Sequence, residues 1–65
     1  MNETQFIGLL IRACEQAGSQ AAWAKAHGVS AAYVSDVVNY RKSPGSKIVE
    51  AMGFERVTVY RRRKG

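Results

Sequence analysis

The chain has 65 residues, with ten Lys and Arg against five Asp and Glu, a net charge of +5 and a pI near 9.9. This length allows one small domain, and an apolar fraction of 46% is typical of a globular chain, which argues against disorder throughout. The excess of positive charge favours a polyanionic partner, although a merely soluble basic protein has the same balance.

The first predicted element is a helix over residues 2–17. Asn2 is a good N-cap, and Gln5, three residues later, completes a capping box. Gly18 ends the helix, and Ser19 is placed to cap the next one. Within this helix, one apolar stripe at helical spacing is formed by Phe6, Leu10, Ala13, Cys14 and Ala17.

Two short helices joined by a tight turn are predicted next, over residues 20–26 and 31–39. The first is rich in alanine, the best helix former. Gly28 marks the turn because glycine enters the left-handed region without a Cβ penalty, and Ser30 is placed to cap the second helix. Behind it, valines recur at helical spacing, and Trp23 before the turn belongs to the inner face. The combination predicts a helix-turn-helix.

A polar turn and a fourth helix over residues 45–52 follow. Pro44 stops any continuation of helix 3 and suits the first turn of a new helix capped by Ser43. Gly53 is the C-terminal stop. The predicted fold class is therefore mainly α, with four short helices around a central helix-turn-helix in a domain spanning residues 1–54.

Residues 55–65 form a second segment of different character. Over residues 55–60, β-branched and aromatic residues alternate, which predicts a short strand, with an extended tail as the alternative. No other stretch offers a partner strand, so antiparallel pairing with a second copy is expected, with Val57, Val59 and Tyr60 in the dimer interface. The basic run that follows is either a solvated tail or an arm that contacts phosphates.

Residues that could form a catalytic or metal site are sparse. The single His and single Cys have no metal-ligand spacing around them, and no Gly-rich phosphate loop is present. The sequence therefore predicts no enzyme, no cofactor and no small-molecule effector. A lone Cys14 allows no internal disulfide, which fits a reducing cytoplasm, and the longest apolar run is too short to cross a bilayer, so a cytoplasmic protein is expected.

From Gln20 onward the chain resembles the Cro/CI-like (XRE-type) helix-turn-helix family of phage and bacterial transcriptional regulators. The resemblance covers residues 6–54 and rests on the turn motif and the segments around it. The matching residues are Gln20, Ala24, Gly28-Val29-Ser30, Tyr33-Val34-Ser35, Arg41-Lys42, Pro44 and Ile48 with Met52-Gly53. It implies a compact helical domain that binds a palindromic operator in double-stranded DNA as a homodimer, with helix 3 in the major groove. It also implies a nucleoid-associated protein of a bacterial or phage-infected cell. The chain departs from the family in its missing fifth helix and in the small side chains of helix 3.

Under this hypothesis the N-terminal part of helix 3 faces the bases, and flanking polar residues contact phosphates. The expected base contacts are Ser30, Ala31, Ala32, Ser35 and Asp36. The expected phosphate contacts are Gln20, Tyr33, Asn39, Tyr40, Arg41, Lys42, Arg61 and Arg62. Three alternatives stay open: Ser30 only caps its helix, Asp36 is an ion-pairing acid, and Tyr33 is partly core.

Two further classes of function compete with a repressor of this kind. One is a protein-interaction module, antitoxin-like or adaptor, that uses the same helical core, and the basic clusters argue against it. The other is a non-specific nucleic-acid binder that acts through its basic tail.

Overall fold

The structure, a computed structural model, describes residues 2–56 and 60–62. In these ranges the chain forms four helices followed by two short strands. The helices are α1 (Glu3–Ala17), α2 (Gln20–His27), α3 (Ala31–Val38) and α4 (Ser46–Ala51), and the strands are β1 (Phe54–Arg56) and β2 (Tyr60–Arg62). The predicted mainly helical class with four helices is confirmed, with the helix ends shifted by one residue where they differ. In the described part of the chain, no helix has the length and apolar character needed to cross a membrane.

The first three helices begin at the caps that the sequence predicts. Asn2 and Gln5 form the complete capping box of α1, with the Gln5 N–H donating to Asn2 Oδ1 at 2.8 Å. Ser19 Oγ accepts the N–H of Ala22 at 3.0 Å and Ser30 Oγ accepts the N–H of Tyr33 at 3.1 Å. Each serine thereby satisfies an N–H group that has no partner inside its helix, which fixes where α2 and α3 start.

The predicted cap of α4 is wrong. The N-cap is Gly45 and not Ser43, and the helix starts at Ser46. The Gly45 N–H donates to Tyr33 Oη at 2.6 Å, so a side chain from α3 satisfies this group from twelve residues away. Pro44 is buried just before the helix. A β-carbon at position 45 would collide with the Tyr33 hydroxyl, which explains glycine at a position whose φ of −82° is ordinary.

One hydrophobic core joins all four helices to β1. Its buried members are Phe6, Ile7, Leu10, Cys14, Trp23, Ala24, Val34, Val37, Val38, Ile48, Val49 and Phe54. The rings of Phe6 and Phe54 meet edge to face with centroids 5.4 Å apart, so the first helix and the first strand pack directly on each other. Trp23 is 4% exposed, which confirms its assignment to the core.

The C-terminal segment differs from the predicted single strand over residues 55–60. Extended backbone occurs at β1 and β2, which pair antiparallel with Phe54 opposite Arg62 and Arg56 opposite Tyr60. The expectation that the chain holds no partner strand is therefore wrong, because the backbone groups of β1 find partners in β2. Sequence reasoning missed β2 because its residues form part of a run of charge, which resembles a tail. Residues Val57 and Val59 lie outside the described ranges.

Candidate nucleic-acid interface

The N-terminal half of α3 presents small side chains to solvent. Ser30, Ala31 and Ala32 are all exposed. Three valines of the same helix, Val34, Val37 and Val38, are buried in the core, so the orientation of α3 is fixed. The first three residues predicted to contact bases are therefore all accessible at the N-terminal end of α3.

Ser35 lies one turn further along α3 and is half-buried. Asn39 Nδ2 donates to the Ser35 carbonyl oxygen at 2.8 Å and lies 3.4 Å from Ser35 Oγ. Asn39 is also the C-cap of the helix, so its amide satisfies one of the terminal carbonyl groups. Both residues therefore have local roles in ending α3, and a base or phosphate contact by either would add to that role.

Asp36 is half-buried and faces two cations that follow the helix. Arg41 Nε donates to Asp36 Oδ1 at 2.9 Å, and Lys42 Nζ lies 3.8 Å from Asp36 Oδ2. These distances favour the ion-pairing alternative for Asp36. Asp36 and Arg41 are five residues apart, and Arg41 lies beyond the helix end. Side chains on a helix meet at spacings of three or four residues, so this pair could not be predicted from helical spacing.

A strained turn at Tyr40 places Arg41 and Lys42 beside Asp36. Tyr40 has φ of 63°, the left-handed region, and it is the single non-glycine residue with positive φ among those described. The N–H of Tyr40 donates to the Val37 carbonyl at 3.1 Å and the N–H of Arg41 to the Asp36 carbonyl at 2.8 Å. These two bonds form a Schellman motif, in which glycine usually takes the position that Tyr40 holds here. The sequence gives no signal for this turn, because the residue that marks it is missing.

Tyr33 contributes to the core and to the surface at once. It is half-buried and packs against the core, its hydroxyl accepts the Gly45 N–H, and Lys42 Nζ lies 5.9 Å from the centre of its ring. The last distance is within the range of a cation–π contact. The partly-core alternative for Tyr33 is therefore the one that its surroundings favour, and its hydroxyl is already engaged.

Gln20 is exposed at the first position of α2. The side chain of Ser19 caps the N–H of Ala22, while the amides of the first helical residues lack carbonyl partners inside the helix. This end of α2 carries the positive end of the helix dipole. The geometry is thus compatible with the phosphate contact predicted for Gln20.

The remaining predicted contacts lie at the C-terminal end. Arg61 and Arg62 belong to β2, as does Tyr60. Their assignments, phosphate contacts for the arginines and the dimer interface for Tyr60, stay predictions. Val57 and Val59 of the predicted dimer interface are outside the described residues.

Other chemically active groups of the described residues do not assemble into a site. No group of three or more His, Cys, Asp or Glu side chains is placed to hold a metal ion in the ranges described. Cys14 is a buried free thiol, and burial raises its pKa above the usual value. A thiol in this state is protonated at neutral pH and behaves as a small apolar side chain.

Comparisons of the chain with protein-family models, with curated proteins and with solved structures found no match. The functional interpretation therefore depends on the geometry and charge of this surface.

Proposed function

We propose that the chain is a sequence-specific, double-stranded DNA-binding regulator of transcription, of the Cro-like repressor kind, with α3 as its recognition helix. The observation that supports this most is the layout of α3. Its valines anchor it in the core, small exposed side chains lie at its N-terminal end, and exposed Arg41 and Lys42 follow its C-terminal end. A smooth helix face with cations beside it suits entry into a major groove flanked by phosphates.

The short connection between α2 and α3 supports the proposal that these two helices act as a helix-turn-helix. Only residues 28–30 separate the helices. Gly28 has φ of 71° and donates its N–H back to the end of α2, and Ser30 then caps α3. Buried Ala24 is small enough to let the two helices approach closely, which holds α3 firmly against α2. A recognition helix must be held rigidly, because base contacts depend on its register in the groove.

Sequence readout in this proposal uses small groups. The methyl groups of Ala31 and Ala32 match thymine methyl groups in the major groove, and Ser35 can hydrogen-bond to several bases. Affinity comes mainly from phosphates, contacted by Gln20, Arg41 and Lys42 within the described surface. Such an interface combines modest direct readout with a strong dependence on salt.

The first experiment is selection of bound sites from random double-stranded DNA at near-physiological salt. An enriched palindrome would support a specific dimeric regulator and would give the half-site spacing, expected to be about one helical turn. Binding without enrichment would favour a non-specific nucleic-acid binder. Absence of binding would favour a protein-interaction module and refute the proposal.

A pair of charge variants locates the reading surface. Ala32→Glu places an acid on the exposed face of α3, whereas Gln16→Glu adds the same charge at an exposed position on α1. Both positions are exposed, so neither variant should disturb the core. The proposal requires Ala32→Glu to abolish binding to the selected site and Gln16→Glu to weaken it only slightly. Equal effects would mean that α3 does not enter the groove.

The C-terminal segment is the proposed dimerisation element. A two-stranded sheet such as that of β1 and β2 can extend by adding a strand from a second copy. Removal of residues 55–65 is expected to give a monomer with much weaker operator binding. Sedimentation at matched concentrations tests this, and a truncated chain that stays dimeric would exclude the hairpin as the interface.

A further inference from the structure

We propose that Asp36 is a positioning residue that holds Arg41 and Lys42 as a preorganised clamp for a phosphodiester of bound DNA, instead of reading a base itself. The three residues are called the phosphate clamp below. This inference rests on the proposed DNA-binding function and reassigns one residue within it. The observation behind it is independent of that function: the acidic side chain of Asp36 lies on a surface suited to a polyanion and contacts both neighbouring cations.

The backbone brings the members of the clamp together before any side chain acts. The carbonyl oxygen of Asp36 accepts the N–H of Arg41 at 2.8 Å and lies 3.3 Å from the N of Lys42, which also donates to it. The left-handed Tyr40 makes this reversal possible within two residues of the helix end. Residues 41 and 42 therefore return to the last turn of α3 and do not extend away from it.

The side chains then fix the direction of the guanidinium. Asp36 Oδ1 accepts from Nε of Arg41, at one side of the planar group. The two Nη atoms form a different edge of the planar group, which Asp36 does not occupy, and the Arg41 side chain is 60% exposed. An arginine held at Nε can thus offer its terminal nitrogens as a fork to a phosphate, the geometry in which arginine binds phosphate best.

Lys42 is restrained from two sides. Its Nζ lies 3.8 Å from Asp36 Oδ2 and 5.9 Å from the centre of the Tyr33 ring, and its side chain is 61% exposed. Both contacts leave the ammonium accessible. The two cations exceed the one anion, so the clamp keeps a net positive charge toward the DNA backbone.

Two opposing effects of Asp36 on DNA affinity can be compared. Its negative charge repels phosphate, and at about 8 Å in water a unit repulsion corresponds to roughly a twofold change in affinity, less with salt. Holding a long side chain in its bound geometry saves an ordering cost that corresponds to about two- to tenfold. At near-physiological salt, screening lowers the repulsion to roughly 1.4-fold, so positioning exceeds it. The sign of the Asp36→Asn effect separates the two.

The test is a double-mutant cycle on the full chain, measured by DNA-binding titration at several salt concentrations. The variants are Asp36→Asn, the pair Arg41→Ala with Lys42→Ala, and their combination, with Glu50→Gln as the matched control that removes one negative charge from an exposed position on α4. Thermal unfolding of each variant verifies that the fold is intact. Arg41→Lys adds an independent test because it keeps the charge and removes the Nε donor.

The clamp predicts that, at near-physiological salt, Asp36→Asn weakens binding about 1.5- to sevenfold at every DNA sequence, because the loss of positioning is partly offset by the relief of repulsion. With both cations already replaced by alanine, the same change should strengthen binding slightly, as Glu50→Gln does. Arg41→Lys should weaken binding although its charge is unchanged. This reversal of sign would be specific to positioning, because a general loss of structure would weaken binding in both backgrounds.

Three outcomes would overturn the clamp. Tighter binding by Asp36→Asn in both backgrounds would show that Asp36 only repels phosphate. A changed preference at one base pair without coupling to Arg41 would make Asp36 a base-reading residue. Equal weakening in both backgrounds would show that Asp36 acts without the two cations. In all three the unaltered protein still binds DNA, whereas a chain that binds no DNA would remove the proposed function and the clamp together.

Discussion

Tyr40 offers a direct test of how strain at the end of α3 is balanced against function. Its φ of 63° places a β-carbon where L-residues are disfavoured, at a cost of about 1–2 kcal/mol. Glycine removes that cost but loses more conformational entropy on folding, about 0.5–1 kcal/mol. The difference predicts that Tyr40→Gly has a free energy of unfolding about 0.5–1 kcal/mol greater than Tyr40→Ala.

The alanine variant is the necessary reference because both substitutions remove the same ring. Tyr40 is 60% exposed, so part of the ring is covered in the wild type, and a comparison with the wild type would mix that burial with the strain. For a domain of this size, the predicted difference corresponds to about 2–8 °C in Tm. Thermal unfolding followed by circular dichroism would resolve it.

A second position supplies the control for glycine itself. Ala22 lies within α2 and is exposed. Ala22→Gly should lower stability by about 1 kcal/mol, the opposite sign to that expected at position 40. If Tyr40→Gly proved equal to or less stable than Tyr40→Ala, the left-handed conformation of Tyr40 would be refuted.

DNA binding gives the functional half of the same experiment. If the phenol of Tyr40 contacts a phosphate, both variants lose that hydrogen bond and weaken DNA binding equally, by roughly five- to tenfold. The glycine variant would then be the more stable of the two without being the better binder. Unchanged affinity in both variants would remove Tyr40 from the predicted phosphate contacts.

Three substitutions and one labelling experiment probe the remaining parts of the surface and the core. Arg41→Ala should weaken binding to all DNA sequences about equally and flatten the salt dependence by about one unit of slope, and an altered sequence preference at unchanged slope would contradict a phosphate contact. Tyr33→Phe leaves the Gly45 N–H without its acceptor and should cost about 1–3 kcal/mol by chemical denaturation, with a loss below that range indicating that water replaces the hydroxyl. Gly45→Ala, which pushes the hydroxyl away, should cost at least as much. Burial raises the pKa of Cys14. Its contribution to stability is therefore fully present below the pKa of an unfolded thiol and is lost as pH rises through the pKa of the folded state. Alkylation of the thiol should stay slow near neutral pH and follow unfolding, and fast labelling of the folded chain would contradict the burial of Cys14.

The parts of the fold that sequence predicted well are those decided by neighbours along the chain. The caps at Asn2, Ser19 and Ser30 each accept an N–H three residues later, so their geometry is complete within one turn. Gly18 and Gly28 end their helices with φ of 104° and 71°. For such features, local residue types and spacing carry nearly all the information.

The features that sequence missed depend on contacts across the fold. The start of α4 is set by Tyr33, twelve residues earlier, and local capping rules pointed to Ser43 instead. The second strand was missed because basic residues rarely indicate a strand, although pairing with β1 satisfies its backbone. The predicted base and phosphate contacts stay untested, since a site on a partner is defined only when that partner binds.

Two choices at the end of α3 are unfavourable when each is considered alone. An L-residue occupies a position suited to glycine, and an acid near the C-terminus of a helix faces the negative end of its dipole. The acid becomes consistent if this corner has to present two cations in a fixed arrangement, because the turn returns Arg41 and Lys42 to Asp36, and the carboxylate then orients them. Tyrosine in place of glycine is consistent with the phosphate contact predicted for its phenol. Local conflicts of this kind are expected where function constrains a sequence more tightly than stability does. Neutralising Asp36 tests this idea, because it removes a local cost and should weaken the grip on DNA. Tyr40→Gly also removes a local cost but keeps the turn, so it should weaken binding only as far as Tyr40→Ala does, through the loss of the phenol.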